Sequence, residues 1–328
     1  MRSFRKTAWC ALFLALCAAA NGILNYFLVP YTYTRADAHN LRTAQYEELF
    51  VGSSHGKCGL DPAVMREVSG RISINVCQGG EYPVDSYFLV KEAARHRKLS
   101  RVILEVDPGY WVTKPNQTAD YAVFYQEMEF SPVKIEYFLG KMMQADFRTT
   151  LFPWYLYRKE IRQIPGNLEM KRSSVYKNCG TEPFSSPVQD YRQDGMIVRK
   201  VSEGDKTQED KPVLFNRKEL NPDAGKYFEK LVRFCEKEGI RLIAVTTPIP
   251  QVTYEKYQEA YDCGTAYFTS YMEKLGVPYY NFTRGWEYGM PYQLEDFADY
   301  EGHMYGDAAA EFTEIFGKIL EESKGRFR

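Results

Sequence analysis

A pair of serines lies in the sequence Gly52-Ser-Ser-His-Gly56, directly after a short apolar run that begins at Glu48. Small residues permit a tight turn between a strand and a helix, and such a turn raises one hydroxyl above the carboxyl edge of a parallel sheet. Ser54 occupies that position, with the following backbone amides pointing at it. The segment predicts a nucleophilic serine, although a strand-end turn rich in glycine and serine is also an ordinary structural feature.

A serine hydroxyl needs a base, and the chain has four histidines. Three are set aside, one in the polar region after the N-terminus, one in a charged helical run and one expected to turn its side chain away from the serine: His39, His96 and His55. His303 remains, in a loop before the last helical pattern. Asp299 would orient its imidazole while His303 takes the serine proton. A loop histidine near carboxylates can equally form a surface ion pair.

The elements that must position these residues follow from the apolar pattern. Five short runs, rich in β-branched or aromatic residues and bounded by turn residues, predict buried strands at residues 48–52, 72–76, 101–107, 241–246 and 277–282. Helical patterns alternate with them at residues 85–98, 223–238, 254–275 and 306–322. The alternation predicts an α/β fold, with a flavodoxin-like, doubly wound parallel sheet of about five strands.

The stretch from about residue 111 to residue 222 interrupts this alternation and predicts a mid-chain helical insertion. It begins with a run rich in Met, Phe, Tyr and Trp and continues as a polar region. Segments of this length between core elements usually form lids or binding surfaces. Its basic residues are expected to form a solvated helix face: Arg158, Lys159, Arg162, Lys171 and Arg172.

The N-terminus combines basic residues with a nearly uncharged run over residues 8–29. About 20 apolar residues span a bilayer, and basic flanking residues stay on the cytoplasmic side. Residues 1–30 are therefore predicted to be a cytoplasmic tip and a transmembrane anchor, residues 31–47 a stalk or first helix, and residues 48–328 a domain outside the cytoplasm. Three residues weaken the run and leave open a cleaved signal peptide: Asn21, Gly22 and Asn25.

The composition excludes several classes of protein. With 42 basic and 43 acidic residues the net charge is -1, so no overall field would hold the chain on nucleic acid. The seven cysteines show no CxxC spacing or Cys/His metal spacing, which argues against structural zinc. Five cysteines lie beyond the apolar run; these allow one or two disulfides, with pairing that the sequence does not assign.

A Gly-x-Ser motif on the first strand, paired with an Asp/His couple before the final helix, resembles the SGNH/GDSL hydrolases. The resemblance covers the block around Ser54, the Gly79-Gly80 turn after the second strand and the terminal block 297–312, but not the insertion. It is strongest to membrane-anchored, DltD-like or polysaccharide O-acyltransferase-like members. By this resemblance Ser54 would be the nucleophile and supply one oxyanion-hole amide, Gly79 or Gly80 would supply the second, and His303 would be the base.

The acid of the triad departs from the family pattern. The family places its aspartate three residues before the histidine, where this chain has Tyr300. A one-residue insertion at Gly302 would restore the geometry for Asp299. Otherwise another nearby carboxylate would take the role, and the alternatives are Asp296 and Glu301.

Two further departures concern the turn and the oxyanion hole. Ser53 stands where the family's first block has an aspartate. No Gly-x-Asn-Asp block follows the third strand, where Asp107 stands instead, and an ionised carboxylate cannot donate a hydrogen bond to an oxyanion.

The resemblance implies a serine-dependent esterase or O-acyltransferase that acts on acyl groups of a cell-envelope polysaccharide or teichoic-type polymer. Such a hydrolase or acyltransferase needs no cofactor or metal. The expected partners are the acylated glycan or polymer, a multipass membrane acyltransferase, and the cell membrane through the N-terminal helix, but no nucleic acid. The competing expectation is a catalytically inactive SGNH-fold envelope scaffold or carbohydrate-binding protein.

Overall fold

The computed structural model describes residues 2–113, 123–144, 147–202, 205–206, 209 and 211–323. The remaining positions of the predicted insertion, residues 114–122, 145–146, 203–204, 207–208 and 210, lie outside the described residues. The strands are β1 (Glu48–Val51), β2 (Ser73–Asn75), β3 (Arg101–Glu105), β4 (Gln189–Tyr191), β5 (Ile197–Arg199), β6 (Arg241–Thr246) and β7 (Tyr279–Asn281).

The α-helices alternate with these strands in the first and last thirds of the chain. They are α1 (Arg2–Leu28), α2 (Tyr33–Thr43), α3 (Ser54–Gly59), α4 (Pro62–Ser69), α5 (Pro83–His96), α6 (Val123–Glu127), α7 (Pro132–Gly140), α8 (Phe147–Leu151), α9 (Ile164–Arg172), α10 (Ser174–Lys177), α11 (Pro222–Glu238), α12 (Gln251–Lys256), α13 (Gln258–Lys274) and α14 (Gly306–Ser323).

Five strands form one parallel sheet in the order β2-β1-β3-β6-β7. Each of them lies within one of the five apolar runs, so the prediction of an α/β fold with a five-stranded parallel sheet is confirmed. The remaining strands, β4 and β5, form an antiparallel pair inside the predicted insertion.

Strands β1 and β3 are buried along their whole length and are apolar except for charged residues at their ends, as expected where helices cover a parallel sheet. Helices α5 and α11 pack against each other, and α14 packs against α3 and α4. Alternate strand residues, including Phe50 and Ile103, join Phe312 and Phe316 of α14 in one buried cluster. Each buried side chain of this size contributes about 1.5–3 kcal/mol, which fixes α14 and the loop before it against the sheet.

Two predicted segments differ in detail. The helix predicted over residues 254–275 is interrupted at Tyr257, whose φ of -123° and ψ of 29° are not helical, and it becomes α12 and α13. Residues 31–47, expected to be a stalk or first helix, contain α2. That helix buries Leu41 and Asp37, and Asp37 forms an ion pair with the buried Lys57 of α3 at 2.7 Å.

The chain separates into two compact units. The first comprises Met1–Arg35 and Gln117–Gly180, and the second comprises Ala36–Asn116 and Thr181–Arg328, which contains the sheet. The predicted insertion is thus divided, with most of its first part, Gln117–Gly180, in the unit that holds α1. Within α1 the segment Arg5–Leu28 is long and apolar enough to cross a membrane. All seven cysteines lie in the described residues and are free, so the disulfides that the sequence allowed are not formed.

Candidate active site

The turn after β1 is held by two buried carboxyl groups. Glu81 Oε1 accepts a hydrogen bond from the Gly52 amide at 3.1 Å, and Glu105 Oε2 accepts one from the Ser53 amide at 2.7 Å. Gly52 has φ +142°, and a Cβ there would lie 2.7 Å from the Glu105 carbonyl oxygen, so only glycine fits. The close approach of this turn to β3 places Ser54 at the first position of α3.

Ser54 and His303, which are 249 residues apart, are in hydrogen-bond contact. Ser54 Oγ lies 2.8 Å from His303 Nε2, and His303 Nδ1 lies 2.6 Å from Asp299 Oδ2. The structure therefore brings together the three residues predicted as nucleophile, base and acid. This is the arrangement in which an imidazole can take the proton of a hydroxyl while a carboxylate orients the ring. Their catalytic roles remain predictions.

Asp299 belongs to a tight loop that also fixes His303. Its Oδ1 accepts hydrogen bonds from the amides of Glu301, Gly302 and His303 at 3.1, 3.0 and 3.1 Å. Gly302 has φ +114°, and a Cβ there would lie 3.1 Å from Ile249 Cγ2. The left-handed glycine accommodates the extra residue between acid and base, so Asp299 reaches the imidazole from four positions away.

The alternative acids lie elsewhere. Asp296 Oδ2 accepts hydrogen bonds from the amides of Tyr292 and Gln293 at 3.0 and 2.9 Å, so this carboxylate closes a turn. Glu301 lines the cavity in front of Ser54. The carboxylate in contact with the His303 ring is that of Asp299.

Burial and charge favour a neutral His303 beside an ionised Asp299. Burial lowers the pKa of His303, and the Asp299 carboxylate opposes this, yet the net shift is downward. Burial alone would raise the pKa of Asp299, but the hydrogen bond and charge of His303 reverse this and hold the pKa below its usual range. A base with a lowered pKa is unprotonated at neutral pH and can accept a proton.

His55 corrects an expectation from the sequence. It was expected to turn away from Ser54, but its ring faces the cavity and lies 4.6 Å from the His303 ring, centroid to centroid. The reason is Asp107, whose Oδ2 lies 3.3 Å from His55 Nδ1. Asp107 follows β3, which pairs with β1, so both strand ends meet at one edge of the sheet. That shared edge is the signal by which the sequence could have placed His55.

His55 carries a positive charge at neutral pH. Burial alone would lower its pKa, but the hydrogen bond and charge of Asp107, with the charges of Glu105 and Asp299, raise the pKa to about 9. Its Nε2 is buried and has no hydrogen-bond partner among the described residues. The charge of His55 in turn helps to lower the pKa of His303.

The pKa values of the two carboxyl groups under the turn are raised. Burial raises the pKa of Glu105 to about 7, against the opposing charge of His55, and raises the pKa of Glu81 well above its usual value. Whether protonated or ionised, each carboxyl group still has an oxygen that can accept the hydrogen bond from the turn. Neither was singled out from the sequence, because their role depends on burial.

Ser54 opens on a cavity of about 110 Å³ in the unit that contains the sheet. One part of its wall is apolar and aromatic, with Val213, Phe215 and Tyr261, and another part is polar, with Asn281 and Glu301. Its lining does not include Gly79 or Gly80, although the neighbouring Gln78 amide donates to the Gly52 carbonyl at 2.9 Å. The second oxyanion donor therefore remains a prediction.

No protein-family model matches the chain, and no curated protein matches it. Across the described residues, no group of three or more His, Cys, Asp or Glu side chains is placed to hold a metal ion. A fold alone does not imply a function, so the geometry and electrostatics of the site are what indicate the chemistry of this chain.

Proposed function

We propose that this protein is a serine-dependent esterase or O-acyltransferase of the SGNH/GDSL type. The observation that carries the proposal is the continuous hydrogen-bonded series Ser54–His303–Asp299, formed by residues far apart in the sequence. A neutral, buried imidazole between a hydroxyl and an ionised carboxylate is an arrangement suited to generating a serine nucleophile.

In the first step His303 Nε2 takes the Ser54 proton as Oγ attacks the carbonyl carbon of an ester. The carbonyl π electrons move onto oxygen, and this oxyanion lies at the Ser54 amide, which as the first N–H of a helix has no acceptor within that helix. The nearby charge of His55 stabilises the negative charge that develops. The tetrahedral intermediate then collapses, its C–O bond to the leaving alcohol breaks, and His303 returns the proton to that alcohol.

In the second step an acceptor hydroxyl, from water or a sugar, attacks the acyl-serine. His303 takes the acceptor's proton and delivers it to Ser54 Oγ as the ester bond to the enzyme breaks. The two steps balance without a cofactor or a metal ion. The part-apolar, part-polar wall of the cavity suits an acyl group esterified to a hydroxyl-rich polymer.

Two features support the family and the location. The strand order β2-β1-β3-β6-β7 supports a flavodoxin-like, doubly wound sheet, and the position of Ser54 directly after β1 supports a site at the carboxyl edge, where such sheets bind ligands. The helix α1, which begins with basic residues and continues as an apolar run, supports a membrane anchor with the sheet domain outside the cytoplasm. The proposed substrate is therefore an acylated cell-envelope polysaccharide or teichoic-type polymer, and a multipass membrane acyltransferase remains a proposed partner.

A fluorophosphonate probe tests the nucleophile directly. We expect the wild-type protein to form a covalent adduct on Ser54 and the Ser54→Ala variant to form none. Ser53→Ala is the matched control, because it removes the neighbouring hydroxyl and a helix cap worth about 1 kcal/mol but leaves Ser54 in place. Peptide mapping by mass spectrometry locates the adduct. Equal labelling of the wild type and Ser54→Ala would refute the assignment.

The competing proposal is a catalytically inactive scaffold or carbohydrate-binding protein. The lining of the cavity favours it, because Gly79 and Gly80, the residues expected to supply the second oxyanion donor, do not line the cavity at Ser54. A folded wild-type protein that neither reacts with the probe nor hydrolyses a small acetyl ester would support this alternative.

A further inference from the structure

The last two turns of α1 have one covered side and one open side. Asn21, Leu24, Asn25 and Leu28 are partly or fully covered, and their spacing of three and four residues places them on one face of the helix. The open side is apolar and aromatic, with the exposed residues Ile23, Tyr26 and Phe27.

Trp154 accounts for the two asparagines that interrupt the apolar run. Its indole Nε1 donates to Asn21 Oδ1 at 2.9 Å, and its backbone amide donates to Asn25 Oδ1 at 2.9 Å. Asn21 and Asn25 lower the hydrophobicity of the apolar run, and the same two side chains accept the hydrogen bonds that Trp154 donates to the helix.

The same part of the chain binds the C-terminal end of α1. Lys171 Nζ donates to the carbonyl oxygens of Asn25 and Tyr26, and Asn167 Nδ2 donates to the carbonyls of the next two residues at 3.2 and 3.1 Å. The Asn25 carbonyl also accepts a hydrogen bond from the Val29 amide at 3.1 Å. The last carbonyls of a helix lack donors within it, and a cation at this end is favourable. Lys171 is consequently buried, which corrects the prediction of a solvated position.

The hydrogen bonds to α1 set the depth of Trp154 relative to the apolar segment of that helix. The apolar segment Arg5–Leu28 has 24 residues, so at about 1.5 Å per residue it is about 36 Å long, against about 30 Å for the hydrocarbon core of a bilayer. Asn21 lies seven residues before Leu28, or about 10 Å inside the end of the span. With the excess of about 6 Å shared between the two ends, Asn21 lies about 7 Å below the boundary between hydrocarbon and headgroups, and Asn25 about 1–2 Å below it. Trp154, which is hydrogen-bonded to both asparagines, therefore reaches from this boundary into the outer hydrocarbon, beside the interface where tryptophan is enriched.

The segments around Trp154 expose apolar side chains. Phe130 is 86% exposed and Ile161 is 64% exposed, and Ile135 and Leu139 are exposed one turn apart on α7. Arg148 and Arg158 both stack on the Tyr155 ring, at 4.9 and 4.0 Å, which leaves long cationic side chains beside the interfacial tryptophan. Apolar side chains with neighbouring arginines are typical of segments that lie in a membrane interface.

We propose that residues 123–144 and 147–172 form an interfacial membrane element, which dips into the lipid beside α1 and buries its exposed apolar side chains there. The occupant of this surface is lipid, because the element is hydrogen-bonded to a membrane-spanning helix at a depth where lipid surrounds that helix. The inference rests on the proposed membrane anchoring and is independent of the proposed acyl chemistry.

Site-specific photocrosslinking in the full-length chain tests the inference. A diazirine amino acid replaces Phe130 or Leu139, and the protein is irradiated in native membranes that contain an alkyne-tagged phospholipid. Phe13, exposed in the middle of α1, is the positive control, and Val252, an exposed apolar residue in the sheet unit, is the negative control. We expect lipid adducts at positions 13, 130 and 139, several-fold above the yield at position 252.

The other outcomes separate the inference from its premise. Lipid adducts at position 13 but only the background of position 252 at positions 130 and 139 would overturn the interfacial element while leaving the anchor intact. A protein adduct in place of lipid at positions 130 and 139 would also overturn it, in favour of a membrane-protein partner. Absence of lipid at position 13 would show that the anchoring premise fails, and the inference with it.

Discussion

Asp299→Asn tests the proposed triad because it changes one atom of the carboxylate and should preserve the loop. The side-chain carbonyl oxygen of Asn can accept the three hydrogen bonds that backbone amides now donate to Asp299 Oδ1. Its NH2 group then faces His303 Nδ1, which must give up its proton to accept a hydrogen bond. The imidazole proton moves to Nε2, where it points at Ser54, and the ring can no longer take the serine proton.

The magnitude follows from this change of tautomer. The corresponding substitution in a Ser-His-Asp triad lowers kcat about 10⁴-fold with the geometry intact, which equals about 5.5 kcal/mol at 1.36 kcal/mol per factor of ten. Stability should fall much less. The three hydrogen bonds from the backbone amides keep their geometry and lose only the negative charge on their acceptor. At roughly 1 kcal/mol for each hydrogen bond, the free energy of unfolding decreases by about 1–3 kcal/mol.

The assay is release of p-nitrophenol from its acetate ester by the purified protein, followed together with thermal unfolding. Asp296→Asn and Glu301→Gln are the matched controls, since neither carboxylate forms the hydrogen bond to the His303 ring. Asp296→Asn should retain activity within about tenfold of the wild type, and Glu301→Gln, which also alters the cavity wall, should retain kcat within that range even where KM changes. An active Asp299→Asn variant, with the activity lost instead in one of the controls, would refute our assignment of the acid.

Three further substitutions address the charges and the backbone around the site. The proposed base works only when neutral, so kcat/KM should fall as the pH drops through the lowered pKa of His303. His55→Gln removes a neighbouring positive charge and should therefore move this acidic limb of the profile to higher pH. An unmoved limb would show that the charge of His55 does not act on His303. Between pH 4.5 and about 7 the folded protein retains a proton on Glu105 that the unfolded chain loses, so the free energy of unfolding of the wild type should decrease as the pH rises through this window. In Glu105→Gln, measured by chemical denaturation, this decrease should be smaller. Gly302→Ala should destabilise the protein by about 1–3 kcal/mol and lower its activity, because φ +114° is strained for alanine; a fully active and stable variant in the same two assays would contradict the role of this glycine.

The sheet could be predicted from the sequence because parallel strands buried on both faces read as short continuous apolar runs. All five runs became strands, and the helical patterns between them became helices. The pairing of Ser54 with His303 could be predicted for a related reason. One follows a strand and the other precedes the last helix, and in a parallel sheet both places face the carboxyl edge.

The rest depends on contacts that no local pattern records. The orientation of His55 is set by Asp107, from a different strand, and the reach of Asp299 is set by the backbone conformation of Gly302. The burial of Lys171 depends on helix carbonyls about 145 residues earlier in the chain. The charge of Lys171 predicted a solvated side chain, because the residues around Lys171 do not show that a distant helix end has carbonyls available to bind it.

The hydrogen bonds between Trp154 and α1 have a consequence for biosynthesis. Trp154 follows Asn25 by 129 residues, so at roughly 5–20 residues per second a ribosome supplies it about 6–26 s later. During that interval a nascent chain already inserted in a bilayer would hold two carboxamides near lipid without their tryptophan. If α1 spans a membrane as proposed, the span would be least stable while translation continues, and retention of the helix in the bilayer would be coupled to the folding of the first unit.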